Sequence, residues 1–186
     1  MKYLTGSLVV LLLLTGCDWF DLRDPEEPSQ RRSSFQEPFQ PEFVLDNLRF
    51  AFSEANPENF RKCLGSDGDY QFIPSPEFQS SIPPLTREDE IVVFTNQMRD
   101  LLPQETMTVT FINAAFQPTQ IDSVEWVADY RLFIPRSSTD YPSNIDGKMV
   151  LNLRKSPEGL WYIYRWRDFS VLNNFCWSQL KLRFMQ

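Results

Sequence analysis

Cys17 is the residue whose type and position most clearly suggest chemistry in this chain. A cysteine thiolate is a nucleophile and can be acylated or oxidised. This cysteine follows the small residue Gly16 and an apolar run at residues 8–14, with Lys2 near the start. A basic start, an apolar centre of about ten residues and a small-residue exit are typical of a secretory signal peptide. The run is well short of the roughly 20 residues that a membrane-spanning helix needs, so we expect export and cleavage.

The segment Leu14-Thr15-Gly16-Cys17 resembles the lipobox of bacterial lipoprotein precursors. The resemblance implies cleavage between Gly16 and Cys17 and fatty acylation of Cys17, which makes residues 1–16 a lipoprotein signal peptide. Acyl chains would anchor the protein to the membrane, with its domain on the extracytoplasmic, periplasmic side of the cell envelope. The alternatives are an ordinary cleaved signal peptide and a buried core helix, neither of which requires a cysteine at this position.

Residues 17–41 show no apolar periodicity and are rich in proline and acidic residues. Such a composition buries too little apolar surface to fold, so we predict a disordered tether. Phe35 and Phe39 are its candidates for docking back onto the domain that follows, residues 42–186.

The composition excludes several classes of function. The chain contains no histidine, which removes Ser-His-Asp and Cys-His catalysis and histidine-based metal sites. It has six glycines and no glycine-rich phosphate-binding motif, so no nucleotide cofactor is expected. The net charge is -7 and no basic run is longer than Arg31-Arg32, so nucleic acid is not an expected partner. We expect no metal, because Asp67-Gly68-Asp69 lacks the spaced oxygen ligands of a calcium loop and indicates a charged turn.

The first part of the domain shows helical spacing. One amphipathic helix ends at Asn56-Pro57, and its apolar stripe is Val44, Leu48, Ala51 and Phe52. A second, short helix follows and is closed by Gly65, and residues 70–73 form a short strand. Thr86 with Asp89 predicts the capping box of a third helix, whose expected stripe is Ile91, Phe94, Met98 and Leu101 or Leu102.

The second part alternates with a period of two, which indicates half-buried strands. Residues 107–111 and 148–154 form two of them. A third has one apolar and one polar parity, so its register is well specified; the apolar residues are Val124, Trp126, Ala128, Tyr130, Leu132 and Ile134. Residues 160–166 are apolar or aromatic on both parities. This last strand is therefore expected to be covered on both faces of the sheet or to lie at the mouth of a pocket.

This order of elements resembles the nuclear transport factor 2-like family, which has a cystatin-like α+β fold. Matching segments are Val44-Leu45-Asp46-Asn47-Leu48, Gly159-Leu160-Trp161-Tyr162-Ile163 and Trp177-Ser178-Gln179-Leu180-Lys181. The last of these segments resembles a C-terminal Trp-Gly-x-Leu-Lys motif, with Ser178 in place of the glycine. The resemblance implies a strongly bent antiparallel sheet wrapped around N-terminal helices, a cone with an apolar pocket. The candidate residues to line that pocket are Trp126, Tyr130 and Trp161.

The resemblance leaves the function open, because family members include enzymes with a pocket carboxylate and proteins that only bind or assemble. Asp129 and Tyr130 are adjacent on a strand and so face opposite sides, while Asp168 is expected near a pocket mouth. No family catalytic residue matches a position here, so none is predicted. We expect an envelope lipoprotein domain that binds a small apolar ligand or an envelope protein. The alternatives are a homodimerising structural protein and an isomerase- or dehydratase-like enzyme.

Two further cysteines, Cys63 and Cys176, lie in the domain. An extracytoplasmic compartment permits oxidation. The candidate disulfide Cys63–Cys176 would tie the C-terminal segment to the helices, and the alternative is two buried thiols.

Overall fold

A computed structural model describes residues 34–136, 139–172 and 175–185 of the chain. These residues belong to one compact unit. The predicted signal peptide, the Gly16-Cys17 cleavage site and most of the predicted tether lie outside the described residues. Within the described part of the chain, no helix has the length and apolar character needed to cross a membrane.

The described residues form four α-helices and five β-strands. In chain order these are α1 (Pro41–Ser53), α2 (Pro57–Cys63), β1 (Gln71–Ile73), a 3-10 turn (Pro76–Phe78), α3 (Arg87–Arg99), β2 (Thr108–Gln120), β3 (Ser123–Phe133), β4 (Asn144–Lys155), β5 (Trp161–Phe169) and α4 (Trp177–Phe184). The predicted order of three helices and five strands is confirmed. The last helix, α4, is an element that the sequence analysis did not predict.

The five strands form one sheet in the order β1-β5-β4-β3-β2. Strands β2 to β5 are antiparallel neighbours, whereas β1 pairs parallel with β5. The predicted register of β3 is confirmed, because Trp126, Ala128, Tyr130 and Leu132 are each at most 2% exposed. Gly147 of β4 lies opposite Tyr130, and a Cβ atom there would collide with the tyrosine ring. The glycine therefore gives that ring room to lie across the sheet.

A β-bulge explains why residues 160–166 are apolar or aromatic on both parities. The register of β5 against β4 shifts between Asn152 and Leu153, which makes Tyr164 an extra residue. A bulge reverses the alternation of a strand. The buried residues of β5 are therefore Trp161 and Ile163 before the bulge, and Trp166 and Asp168 after it.

The ends of α2 and α3 follow from their capping residues. Asn56 Oδ1 accepts hydrogen bonds from the backbone N–H groups of Glu58 and Asn59, at 3.1 Å each. The predicted capping box of α3 is confirmed: Thr86 Oγ1 accepts from the Asp89 N–H at 3.3 Å, and Asp89 Oδ2 accepts from the Thr86 N–H at 2.9 Å. Each cap satisfies backbone donors that the helix leaves unpaired, which is typically worth about 1 kcal/mol.

The buried face of α3 is displaced from the predicted stripe. Its buried residues are Glu90, Val93, Phe94 and Gln97. Of the predicted stripe, Phe94 is buried, whereas Ile91 and Met98 are only partly buried. The physical reason is that Lys181 of α4 pairs with Glu90 in the interior, so a charged residue occupies a core position.

Residues 34–40, the end of the predicted tether, lie against the domain. The Gln36 N–H donates to Asn47 Oδ1 at 2.8 Å, and its carbonyl accepts from Asn47 Nδ2 at 2.6 Å. Pro38 is buried, and its carbonyl accepts from the Trp161 N–H at 2.8 Å. An unstructured tether therefore does not reach the start of α1.

Candidate functional site

A cleft of about 550 Å³ opens between the end of α2, the β4–β5 turn and residues 35–38. A volume of this size suits a small organic ligand. Its apolar lining is Phe35, Pro38, Leu64, Leu160, Trp161 and Tyr162, and its charged lining is Glu37, Lys62, Asp69 and Glu158. The cleft is thus mainly aromatic and aliphatic, with a few charged groups.

Backbone geometry holds the cleft in place. The Gly65 N–H donates to the Ile163 carbonyl at 2.8 Å, which fixes the end of α2 beside β5. A Cβ atom at Gly65 would lie 3.1 Å from the Tyr162 ring, so the glycine allows that ring to pack closely. Gly159 adopts a φ of 88° in the β4–β5 turn, a conformation that favours glycine. The walls are therefore set by the fold before any ligand arrives.

A hydrogen-bonded cluster forms the polar side of the cleft. The Tyr162 hydroxyl donates to Asp69 Oδ2 at 3.0 Å and accepts from Arg154 Nε at 2.6 Å. Arg154 also forms an ion pair with Asp69, so the Asp69 charge is neutralised within the protein. On the β4–β5 turn, a hydrogen bond from Ser156 lowers the pKa of Glu158. Glu158 is therefore ionised at neutral pH.

A cation of the protein already lies over an aromatic face at this cleft. Lys62 Nζ is 5.2 Å from the centroid of the Phe35 ring, which is within cation–π range. Phe35 and Phe39 were the two phenylalanines expected to dock on the domain. Phe35 lines the cleft, whereas Phe39 does not line it and is 62% exposed.

Of the three predicted pocket residues, Trp161 lines this cleft and Trp126 and Tyr130 do not. Two further cavities, of about 480 and 320 Å³, do not include these two residues either. Trp126 packs against Phe111, with ring centroids 4.8 Å apart, and Tyr130 packs against Trp177, at 5.3 Å. Trp177 of α4 covers Tyr130, and Phe111 and Phe116 of β2 pack against Trp126, so both residues belong to the core where the resemblance implied a pocket.

Trp177, at the start of α4, fills the centre of the fold. Its ring makes edge-on contacts with Phe52 of α1, Tyr130 of β3 and Trp166 of β5, at centroid distances of 5.1, 5.3 and 4.9 Å. Such contacts between buried rings contribute about 0.5–1.5 kcal/mol each beyond the burial of their surface. One side chain therefore joins α4 to the first helix and to two strands.

Asp168 is buried beneath α4 and does not lie at the mouth of a pocket, where it was expected. Its carboxylate accepts from the Tyr130 hydroxyl at 2.8 Å, and from the Ser178 N–H and hydroxyl at 2.7 and 2.6 Å. The Tyr130 hydroxyl accepts from the Trp177 N–H at 2.7 Å, and Ser178 Oγ accepts from the Ser75 N–H at 2.9 Å. Ser178, which stands where the family-like C-terminal motif has glycine, thus donates two hydrogen bonds to Asp168.

Asp168 yields a pH-dependent prediction. Burial raises the pKa of this carboxyl, against the opposing effect of the hydrogen bonds that it accepts. A raised native pKa makes the folded state lose stability as the pH rises from the unfolded pKa through the native one. We therefore expect the free energy of unfolding of the wild type to fall relative to that of D168N as the pH rises from about 4. Urea denaturation of both proteins at several pH values measures this difference, and a difference independent of pH would contradict the prediction.

A second buried polar pair joins α3 to α4. Lys181 donates to Glu90 in an ion pair whose two side chains are each 1% exposed. The Lys181 ammonium also lies 3.9 Å from the Phe72 ring centroid and 4.8 Å from that of Trp166. Burial raises the pKa of Glu90 and lowers that of Lys181, in each case against the attraction of the partner.

Sequence reasoning missed both members of this pair. Trp177, Leu180, Lys181 and Phe184 recur at i, i+3, i+4 and i+7, which is the spacing of one helix face. That signal was available and predicts α4 with a lysine on its buried side. The partner carried no comparable signal, because glutamate in a helix is usually solvated.

Cys63 and Cys176 are free, buried thiols and do not form the candidate disulfide in this structure. Cys63 Sγ donates to the Asn59 carbonyl at 3.3 Å within its own helix. Burial and the neighbouring Asp168 charge raise the pKa of Cys176 to about 12, and burial also raises the pKa of Cys63. Both thiols are therefore protonated and poorly nucleophilic near neutral pH.

The outer face of the sheet carries Asp129, opposite in direction to Tyr130 as the strand pattern predicts. Asp129 Oδ2 accepts from Asn113 Nδ2 at 2.9 Å. In the described part of the chain, no three Cys, Asp or Glu residues are grouped so that they could hold a metal ion.

Solved structures with the same architecture identify the fold. A protein from Novosphingobium aromaticivorans, provisionally named an aromatic ring hydroxylase, matches with a TM-score of 0.59 and 11% identity, over 76% of this chain and 93% of that one. A nuclear transport factor 2-like superfamily protein from Salmonella enterica matches with a TM-score of 0.56 and 11% identity, over 70% and 88%. A nuclear transport factor 2-like protein from Cytophaga hutchinsonii matches with a TM-score of 0.53 and 15% identity, over 71% and 98%. No protein-family model and no curated protein matches the sequence. The domain has the nuclear transport factor 2-like fold.

Proposed function

We propose that this protein is a ligand-binding domain tethered to a membrane of the cell envelope, and that the cleft beside Trp161 is its binding site. The observation that carries this proposal is the 550 Å³ cleft itself, which is open and lined mainly by apolar and aromatic groups. Pockets for small organic ligands have this composition.

Binding is favoured over catalysis by the state of the buried carboxylates. An enzyme that uses a pocket carboxylate needs that group open to its substrate. Glu90 is paired with Lys181, and Asp168 is hydrogen-bonded by Ser178, so both are engaged by residues of α4. Neither of these two carboxylates lines the cleft. Of the carboxylates that do line it, Asp69 is ion-paired with Arg154, and a hydrogen bond from Ser156 lowers the pKa of Glu158, which suits it less to acid–base catalysis near neutral pH.

The proposed anchor would place the cleft near the membrane. Residues 35–38 form one wall of the cleft, and the proposed acylation site is Cys17. The intervening residues 18–33 can extend over at most about 55 Å. The cleft would therefore stay within about 55 Å of the proposed anchor, where it could take up a ligand that enters or leaves the membrane.

The anchor gives the first prediction for function. Replacing Cys17 by serine, C17S, is expected to remove at least about nine-tenths of the incorporated fatty acid, because it removes the thiol that is proposed to be acylated and the other two cysteines are buried. Cells are labelled with an alkyne analogue of palmitate, and the protein is then isolated and quantified. The matched control is C63S, which removes a buried thiol and should label like the wild type. Equal labelling of C17S and wild type would exclude the anchor.

The cleft gives the second prediction. The neutral apolar dye N-phenyl-1-naphthylamine should bind the chain lacking residues 1–17 at one saturable site. L160N should weaken binding about tenfold, because it replaces an apolar wall by an amide. The control is I121N, which alters a side chain that is 95% exposed and lies outside the cleft. Fluorescence titration measures both, and equal affinities for L160N and I121N would contradict the assignment.

A further inference from the structure

We propose that the ligand of this cleft is a small amphipathic organic cation, in which an ammonium group is carried on an apolar chain or ring. This inference rests on the proposed function, because it names the ligand class of the same site. Two features support it: the aromatic faces at the cleft and the balance of charge along its lining.

The aromatic faces already attract cations of the protein itself. Lys62 Nζ lies 5.2 Å from the Phe35 centroid, and the Arg154 guanidinium lies 5.5 Å from the Tyr162 centroid. Trp161 adds a third ring to the same lining. The negative face of an aromatic ring attracts cations, and groups of such rings recognise quaternary ammonium ligands.

The charge balance of the cleft is negative. Its lining carries the carboxylates of Glu37, Asp69 and Glu158, and the single ammonium of Lys62. The ion pair with Arg154 neutralises Asp69. Two carboxylates then face one lysine, and that lysine lies over a ring that a ligand could share. A cationic head is attracted to this site and an anionic head is repelled.

The shape of the cleft supports an amphipathic ligand rather than a bare cation. Leu64 and Leu160 offer aliphatic surface beside the aromatic rings, and the cavity volume of about 550 Å³ exceeds what an ammonium group alone would fill. The apolar part of the ligand would contact this surface, and its burial would supply most of the affinity. The charge would then decide which amphiphiles are accepted.

The test compares three probes with one tail and different heads: octyltrimethylammonium, octyl sulfate and octyl glucoside, each below its micelle concentration. Each competes with N-phenyl-1-naphthylamine for the chain lacking residues 1–17. We expect the trimethylammonium probe to bind about tenfold more tightly than the sulfate, with the glucoside between them, and we expect this preference to shrink as salt is added. E37Q/E158Q should reduce the preference to about twofold or less. The matched control E42Q/E105Q removes two exposed carboxylates outside the cleft and should keep it.

The outcomes separate the two proposals. If the dye binds but the sulfate competes as well as the trimethylammonium probe, the cation inference fails and the binding site stands. The same holds if E42Q/E105Q and E37Q/E158Q change the preference equally, because the net charge of the protein would then be the cause. If neither the dye nor any octyl probe binds, both proposals fail.

Discussion

Replacing Lys181 by methionine is expected to lower the free energy of unfolding by about 3–5 kcal/mol, because it leaves a buried carboxylate without its partner. Glu90 and Lys181 are each 1% exposed, so water cannot replace the lost ammonium. Methionine keeps the length of the lysine stem and packs well against rings such as Phe72, so lost volume contributes little. Urea denaturation of K181M and wild type measures the loss.

The double variant E90L/K181M separates charge from packing. A buried ion pair replaced by apolar residues of similar size is often as stable as the original or more so. We therefore expect E90L/K181M to recover most of the stability that K181M loses. K155M, which removes an exposed lysine, should stay within about 0.5 kcal/mol of wild type. If E90L/K181M is no more stable than K181M, an unpaired charge is not the cause of the loss.

Replacing Trp177 by alanine should lower the free energy of unfolding by about 3–5 kcal/mol. The substitution leaves a cavity at the point where Phe52, Tyr130 and Trp166 meet, and it removes three edge-on ring contacts. W177F should lose less than W177A, because it keeps one ring in the same place. Thermal or urea denaturation provides the measurement.

The control for W177A is F39A, which removes an aromatic side chain that is 62% exposed. F39A should change the free energy of unfolding by no more than about 0.5 kcal/mol. A loss below about 1 kcal/mol for W177A would mean that α4 is not the element that completes the core.

The parts of the fold that sequence predicts well are those with a single clear period. In β3, every residue of one parity from Val124 to Ile134 is apolar, and the other parity is polar except at Val127 and Phe133, so the register follows directly. In β5, the bulge at Tyr164 moves the buried positions from one parity of the sequence to the other. Apolar residues therefore occur on both parities, and the pattern alone does not show which residues face the core. In α4, the stripe includes Lys181, and a lysine at a core position contradicts the usual preference of that residue for water.

The cleft was harder to predict than the fold because three distant segments form it. Residues 35–38, 62–69 and 156–162 contribute to its lining, and no short motif connects them. The first segment also belongs to a proline-rich, acidic stretch whose composition favours a tether. Trp161 was predicted as a pocket residue from the family resemblance, but its neighbours in the cleft follow only from the tertiary structure.

The position of α4 in the chain has a consequence for the timing of folding. A chain leaves the ribosome from its N-terminus, so residues 177–184 emerge after all five strands of the sheet. Until then the concave face lacks Trp177, and bonds such as the one between the Ser75 N–H and Ser178 Oγ, which are 103 residues apart, cannot form. Closing contacts over such separations is slow. The core of the nascent chain is therefore incomplete until α4 has emerged, and under the export proposed above this delay favours threading through a membrane channel.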